Sequence, residues 1–398
     1  MKPIPYGKQQ ITKEDIDAVV ETLQSDYLTQ GPKIGAFEEA FARYIGCDYA
    51  VAVANGTAAL HLCALALGVK PGQKVITTPI TFAATANCVR YCGGDVVFCD
   101  IDPKTCLLDL DKVEKLLESA PLGTYSGIIP VDFAGRAVDA ERCRRLADKF
   151  KLWIIEDACH APGGYFIDRS GTNQRCGNGR FSDLSIFSFH PVKHIAAGEG
   201  GMITTNIKEL YDKLLTLRTH GISRDQGDFE NTFSFAAADP SASEYPGWYM
   251  EMLFLGYNYR LTDFQAALGM TQLSRADENL TRRKQIAIRY ARAFQNQKGI
   301  LTHSGVVDGH AYHLYIIHVT NRLGLYKYLR EHKILAQVHY IPTHLMPYYR
   351  KLGWKEGDLP FAEDYYKTCL SLPMFPSLCS QEQDFVIKTI FDFLNEQG

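Results

Sequence analysis

Residues Tyr49–Gly68 read YAVAVANGTAALHLCALALG. The first six are uncharged and mostly small or β-branched, as in a strand covered on both faces. Asn55-Gly56 interrupts the run, and Thr57 opens an Ala/Leu-rich helix. A buried strand that turns at once into a helix is the repeating unit of a parallel α/β sheet. The unit recurs downstream. KVITT precedes a helix in TFAATANCVRYCG, DVVFCD precedes DLDKVEKLLES, GIIPVD precedes DAERCRRLADKF, and LWIIEDA follows. LSIFSF and GMITT extend the sheet in directions that the pattern leaves open. The fold class is α/β, with a large, mostly parallel sheet.

The flanks read differently. Thr12 can cap a helix running to about Leu23, with Ile16, Val19, Val20 and Leu23 on one face. A second helix follows QGPKIG, with Ile34, Phe37, Phe41 and Ile45 facing inward. After about Lys208 the alternation stops. FSFAAADPSASEYPGWYM is loop-like, and long helical patterns run from Leu261 to Gln297. From Gly299 onward, the strands YIIHV and ILAQVHY mix with helices near 324–332, 361–370 and 381–395. The expected organisation is an N-terminal helical segment (1–30), a large α/β domain (31–260), and connecting helices with a smaller α+β domain (261–398). The N-terminal helices are expected beside the smaller domain. A chain of 398 residues is long enough for two cores.

The net charge of −3 gives no basic field for nucleic acid or an anionic membrane. No apolar run reaches the length of a membrane span. MKPIPYGKQQITKED lacks an apolar leader core, so a cytoplasmic protein is expected. The eleven cysteines include no Cys-x-x-Cys pair, which favours buried, reduced thiols over a zinc site.

In an open α/β sheet, ligands collect at the carboxyl ends of the strands. Four stretches place unusual residues there. ANGTAAL offers the free amides of a helix start and the Thr57 hydroxyl, an anion site or simply a capped turn. IIEDACHA ends a strand on Asp157, which could pair with a protonated ring nitrogen or merely cap the next segment. TFAATAN carries Phe82, a stacking face or a core aromatic. SIFSFHPVKHIAAGEGG holds Ser188 near a strand end and Lys193 on the loop beyond, an imine-forming amine if desolvated and a surface lysine if not. Together, an anion site, an aromatic plate, a carboxylate and a reactive lysine meet the needs of pyridoxal 5′-phosphate. His190 and His194 have i, i+4 metal-ligand spacing, but Pro191 argues against the helix that would align them. GTNQRCGNGR contains Gly-x-Gly outside any strand-to-helix turn, so it reads as a hairpin turn and not a dinucleotide site.

Six stretches, NGTAALHLCALALGV, TTPITFAATANCV, IIEDACHAPGG, SFHPVKHIAAGEGGMITTN, RTHGI and GYNYRLTDFQAALGMTQL, resemble the DegT/DnrJ/EryC1/StrS nucleotide-sugar aminotransferases. The resemblance covers essentially the whole chain and implies a fold-type I pyridoxal phosphate-dependent transferase. It makes Lys193 the catalytic lysine that joins the cofactor and Asp157 the partner of the ring nitrogen. Phe82 becomes the aromatic over the ring, and Thr57, Ala58 and Ser188 the phosphate binders. Asn258 is implied to reach the phosphate from the other subunit of a homodimer. His160 stands where many members have Gln, on the side of the cofactor's 3-hydroxyl. SFHPVKHIAAGEGG, YHLYIIH and ILAQVHY suggest the branch of pseudaminic acid synthesis. For that branch the implied substrate contacts are Tyr6, Asp26, Tyr27, Leu28, Thr29, Ala58, Ser188, Asn258, Tyr312, His313, Leu314 and Tyr315. The implied reaction moves an amino group from L-glutamate to C4 of a UDP-linked 4-keto-6-deoxy-N-acetyl hexose, with no metal. Transamination of another nucleotide-linked keto sugar is an alternative. A sugar dehydratase of the same fold would resemble the family but carry histidine at Lys193. A sensor that binds the cofactor without turnover would not need the whole set of site residues.

Overall fold

The structure, a computed structural model, describes residues 2–396. Seven strands form its central sheet: β1 (Tyr49–Val53), β2 (Lys74–Thr77), β3 (Asp95–Phe98), β4 (Gly127–Ile129), β5 (Trp153–Asp157), β6 (Leu184–Ser188) and β7 (Gly201–Thr205). Their order is β1–β7–β6–β5–β4–β2–β3. From β6 to β3 every neighbouring pair is parallel. β7 alone runs antiparallel, to β1 and to β6. The link from Ser188 to Gly201 contains no crossover helix, and without one a strand can only return antiparallel to its neighbour.

Helices cover both faces. Gly56–Ala66 is buried nearly all round, as its lack of a polar face requires, and joins Ala83–Tyr91 on one side of the sheet. Leu110–Glu118 and Ala140–Phe150 bury Val113, Leu117, Cys143 and Leu146 on the other side. A separate three-stranded antiparallel sheet follows: β8 (Ile300–His303), β9 (Tyr315–Val319) and β10 (Cys369–Leu372), in the order β8–β9–β10. Its core combines Tyr290, Tyr315, Leu370 and Ile390.

The N-terminal helices differ from expectation. Helix Lys13–Leu23 packs against helix Asp263–Ser274, and Pro32–Ile45 packs against that helix and β1. The stretch before them reaches the smaller sheet's region, Ile4–Pro5 pairing in parallel with Ile334–Leu335 and Tyr6 O accepting the Met374 N–H. Phe37, Phe41 and Ile45 are buried as their spacing predicts. In the first helix, however, the face with Ile16 and Leu23 is exposed (55% and 54%), and Asp15 and Thr22 point inward. Asp15 is held by Thr271 (2.6 Å), Gln272 (2.9 Å) and Arg275 (2.7 Å), so a hydrogen-bonded ion pair overrides the apolar pattern. The predicted hairpin is present as Tyr165–Ile167 with Asn173–Arg175, but Gly177-x-Gly179 lies beyond its second strand. Among the described residues no helix is long and apolar enough to cross a membrane.

Candidate active site

The carboxyl ends of β1, β5 and β6 open on a cavity of about 600 Å³. At the end of β1, Asn55 caps helix Gly56–Ala66, its Oδ1 accepting the Ala58 N–H at 2.8 Å. The Ala58 amide expected to bind phosphate is therefore already taken, because an N-cap side chain satisfies the amide two or three residues on. The Gly56 and Thr57 amides precede the first helical hydrogen bond and face the positive end of the helix dipole. Ser188, ending β6, lies against them. A Cβ on Gly56 would sit 3.0 Å from Ser188 Cβ, so a side chain there would push Ser188 away from the helix start.

Asp157 ends β5 and is buried. Thr85 Oγ1 donates to its Oδ2 at 2.7 Å, and the Cys159 N–H reaches its Oδ1 at 3.2 Å. Thr85 is in turn positioned by Thr81 Oγ1 at 2.8 Å, one helical turn away. Phe82, capping the same helix, presents a ring that is 62% exposed at the cavity. Lys193 follows a turn in which its own N–H donates to the His190 carbonyl at 2.8 Å. Desolvation pushes its ammonium pKa down, and the Asp157 charge opposes this more weakly. More neutral amine is therefore present at neutral pH than an exposed lysine would supply.

His160 has a defined proton arrangement. Its Nδ1 accepts the Ala134 N–H at 3.3 Å, so the neutral ring carries its proton on Nε2. Burial, with Lys193 beside it, holds His160 well below the ordinary imidazole pKa. Nε2 lies 3.3 Å from the Tyr340 hydroxyl and donates to it. The Tyr340 hydrogen is left to point into the cavity that this residue also lines.

These groups fit pyridoxal 5′-phosphate. Two free amides with the Thr57 and Ser188 hydroxyls suit a phosphate, Asp157 a protonated ring nitrogen, Phe82 a flat ring, and Lys193 an aldehyde. Thr57, Phe82, Asp157, His160, Ser188, Lys193 and Tyr6 are all brought to one cavity. Tyr6 packs its ring 4.8 Å from that of His339.

Other predicted contacts lie elsewhere. Asp26, Tyr27, Leu28 and Thr29 are exposed, off the cavity, and tied to the start of helix Asp263–Ser274 through Leu28 O and the Thr29–Thr262 bridge. Asn258 is exposed on a bridge to Thr219. Tyr312, His313, Leu314 and Tyr315 are buried, so direct substrate contact is not available to them here. Arg283 Nη1 donates to Tyr312 O at 3.1 Å, and the Tyr315 hydroxyl pairs with His303 at 3.0 Å. Tyr312 and Tyr315 join the smaller core and Leu314 the larger one, while the His313 ring lies 4.2 Å from that of His160. His190 and His194 diverge: the first lines the cavity, and the second donates from Nε2 to Ala311 O at 2.9 Å.

Sequence reasoning marked the Asn55-Gly56 turn but missed Thr85, Cys159, His339 and Tyr340 on the cavity wall. The one-turn spacing of Thr81 and Thr85 was a usable signal for Thr85. Tyr340 lies 180 residues from His160, and no local pattern marks it.

The sequence profile of one family matches residues 9–391. The chain belongs to the DegT/DnrJ/EryC1/StrS aminotransferase family. Members of this family use pyridoxal 5′-phosphate, so the cavity is that of a cofactor-dependent sugar aminotransferase acting on nucleotide sugars. The chain is 40% identical over 400 residues to the spore coat polysaccharide biosynthesis protein SpsC of Bacillus subtilis, covering 98% of this chain and 97% of that one. It is 36% identical over 402 residues to UDP-4-amino-4,6-dideoxy-N-acetyl-beta-L-altrosamine transaminase of Campylobacter jejuni, covering 99% and 98%. A solved structure of Helicobacter pylori PseC, an aminotransferase involved in the biosynthesis of pseudoaminic acid, superposes with a TM-score of 0.85 at 30% identity, covering 99% and 100%.

Proposed function

We propose that this DegT-family enzyme transfers the amino group of L-glutamate to C4 of a UDP-linked 4-keto-6-deoxy-N-acetyl hexose in pseudaminic acid synthesis, as a cytoplasmic homodimer. The observation that carries the reading is Lys193, desolvated beside Asp157 in a cavity with a built anion cup. The altrosamine transaminase and PseC support the choice of sugar. SpsC supports the broader alternative, another nucleotide-linked keto sugar. We further propose the division at residues 30 and 260 as the domain organisation, with Asn258, exposed and away from its own cavity, offered to the partner's.

When bound, the cofactor supplies an aldehyde that takes up the amino group and an electron-withdrawing ring. Gly56, Thr57 and Ser188 grip its phosphate. Asp157, held in place by Thr85 and the Cys159 amide, keeps the ring nitrogen protonated. Phe82 covers the ring. Tyr340, oriented by His160, donates a hydrogen bond into the cavity. Lys193 Nζ would accept the proton released at the amino-bearing carbon and give it back as the amino group is transferred, which its lowered pKa favours.

The test is incubation with glutamate and a panel of UDP- and dTDP-linked 4-keto and 3-keto sugars, with product identification by NMR. A C4-aminated UDP-N-acetyl sugar is expected. Amination of only a 3-keto sugar would overturn the C4 assignment and leave the aminotransferase standing.

A further inference from the structure

A second cavity of about 610 Å³ shares a wall with the active site. Phe133 and Ala134 of the Phe133–Gly135 turn line it, while the Ala134 amide holds His160 on the active-site side. The remaining walls come from the loop after β3, from β8 and β9 with the loop between them, and from helix Pro360–Thr368. Four groups here point to one kind of ligand.

Arg136 is half-buried in this wall, and among the described residues its guanidinium has no hydrogen bond or ion pair. The Lys104 ammonium, at the exposed edge, is likewise unpaired. Buried His310 accepts the Tyr312 N–H on Nδ1 at 2.8 Å, and His303 accepts the Gly305 N–H on Nδ1 at 3.0 Å. Each neutral ring therefore carries its hydrogen on Nε2, and neither Nε2 has a protein acceptor among the described residues. The one carboxylate in the wall, Asp364, is engaged by Lys367 at 2.8 Å. The cavity thus offers two unneutralised cations and two spare N–H donors.

We propose that this cavity binds a small molecule bearing an oxyanion, phosphate or carboxylate, with Arg136 as its principal contact and His303, His310 and Lys104 completing the shell. A guanidinium taken partly out of water gains most from a planar oxyanion that it can grip with two parallel hydrogen bonds. Burial, with Arg136 beside it, pushes His310 down to about 3, so it serves as a neutral donor and leaves the positive charge on Arg136 and Lys104. The volume lies within the range of small-molecule sites and is too large for a bare ion. Tyr365, Phe361 and Phe133 give the rest of such a molecule apolar walls. The inference does not depend on the sugar assigned above.

The test is titration calorimetry of cofactor-loaded enzyme with inorganic phosphate and, separately, with succinate, on wild type and Arg136→Met. At least one anion is expected to bind wild type at a site that Arg136→Met weakens at least tenfold, with melting temperature and aldehyde-cofactor absorbance unchanged. Binding of phosphate alone assigns a phosphate ester, and of succinate alone a carboxylate. Lys104→Met, on an exposed residue, is expected to weaken the same binding severalfold and replaces the arginine variant should that variant not fold. No binding by wild type, or isotherms that neither substitution alters, would overturn the site.

Discussion

Glu156 and Asp157 are adjacent at the end of β5, yet the sheet sends them to different chemistry. Asp157 faces the cofactor cavity, with one hydroxyl and one amide donor and space in front of it. Glu156 faces the opposite side and is closed in. Gly177 N–H (2.9 Å), Ser185 Oγ (3.0 Å) and Ser182 Oγ (3.3 Å) donate to it, and Asp132 and Cys176 complete a buried cluster. Asp132 accepts the Val138 N–H on Oδ1 at 2.8 Å, leaving Oδ2 to share a proton with Glu156. Burial first, then the Glu156 charge, raises the Asp132 pKa well above the carboxylate range. Burial raises Glu156 as well, against its donors, so the pair retains a proton, favoured on Asp132 because its Oδ2 has no donor among the described residues. Access to the cavity and the number of donors, not residue type, separate a carboxylate that can act from one that only holds the fold.

Five substitutions sharpen or break that contrast. Lys193→Ala, on the open side, should lose on the order of a thousandfold or more in turnover while its melting temperature stays near wild type; wild-type turnover would remove Lys193 from the mechanism. The two neighbouring acids should then fail in opposite ways. Asp157→Asn should lower turnover on the order of a hundredfold with little change in unfolding free energy. Glu156→Leu should destabilise by about 3 kcal/mol, by stranding buried donors, with turnover per folded molecule within a few fold of wild type. A reversal of that pair, read by denaturant melts and steady-state kinetics, would refute the division of roles.

Thr85→Val removes the hydroxyl that fixes Asp157 and should cost about 1 kcal/mol, or roughly fivefold in turnover, with normal folding. An unchanged rate would mean that the Cys159 amide positions Asp157 unaided. The smallest effect concerns pH. Asp132 keeps in the folded state a proton that the unfolded chain releases near its ordinary pKa of 3.8. Folding therefore takes up a proton above that pH, and wild-type stability should fall as pH rises. Asp132→Asn keeps both hydrogen bonds without titrating. Its melting temperature should exceed that of wild type at pH 8, with the gap narrowing toward pH 5. A constant gap would place the proton elsewhere.

Much of the cofactor site was readable along the chain because its parts are local. A strand end followed by Asn-Gly-Thr leaves free amides wherever that turn occurs, and Lys193 with Ser188 belongs to one short stretch. Readings that required knowing what lies opposite did less well. The YHLY stretch looked like a set of contacts and is buried, because it packs on helix Ala276–Phe294, where Tyr290 and Phe294 meet the Tyr315 ring and Arg283 binds the Tyr312 carbonyl. Ile16 and Leu23 looked like a core face and are exposed, because Asp15 found Thr271 and Gln272 on helix Asp263–Ser274 and Arg275 at its end. Ala58 sits beside the anion cup, but its amide was claimed by the cap on Asn55.

Apolar periodicity and turn residues along the chain were enough for the α/β class, most of its strands, the anion-binding turn and the reactive lysine, since each depends on neighbours a few positions away. Tertiary structure alone decided the direction of GMITT, the pairing of Tyr340 with His160, and the closing of Glu156 against Asp132. It also left the Arg136 side chain without a partner among the described residues, in a second cavity. Those outcomes depend on which distant segments share a surface, and pairwise burial at long range is not encoded in any local window.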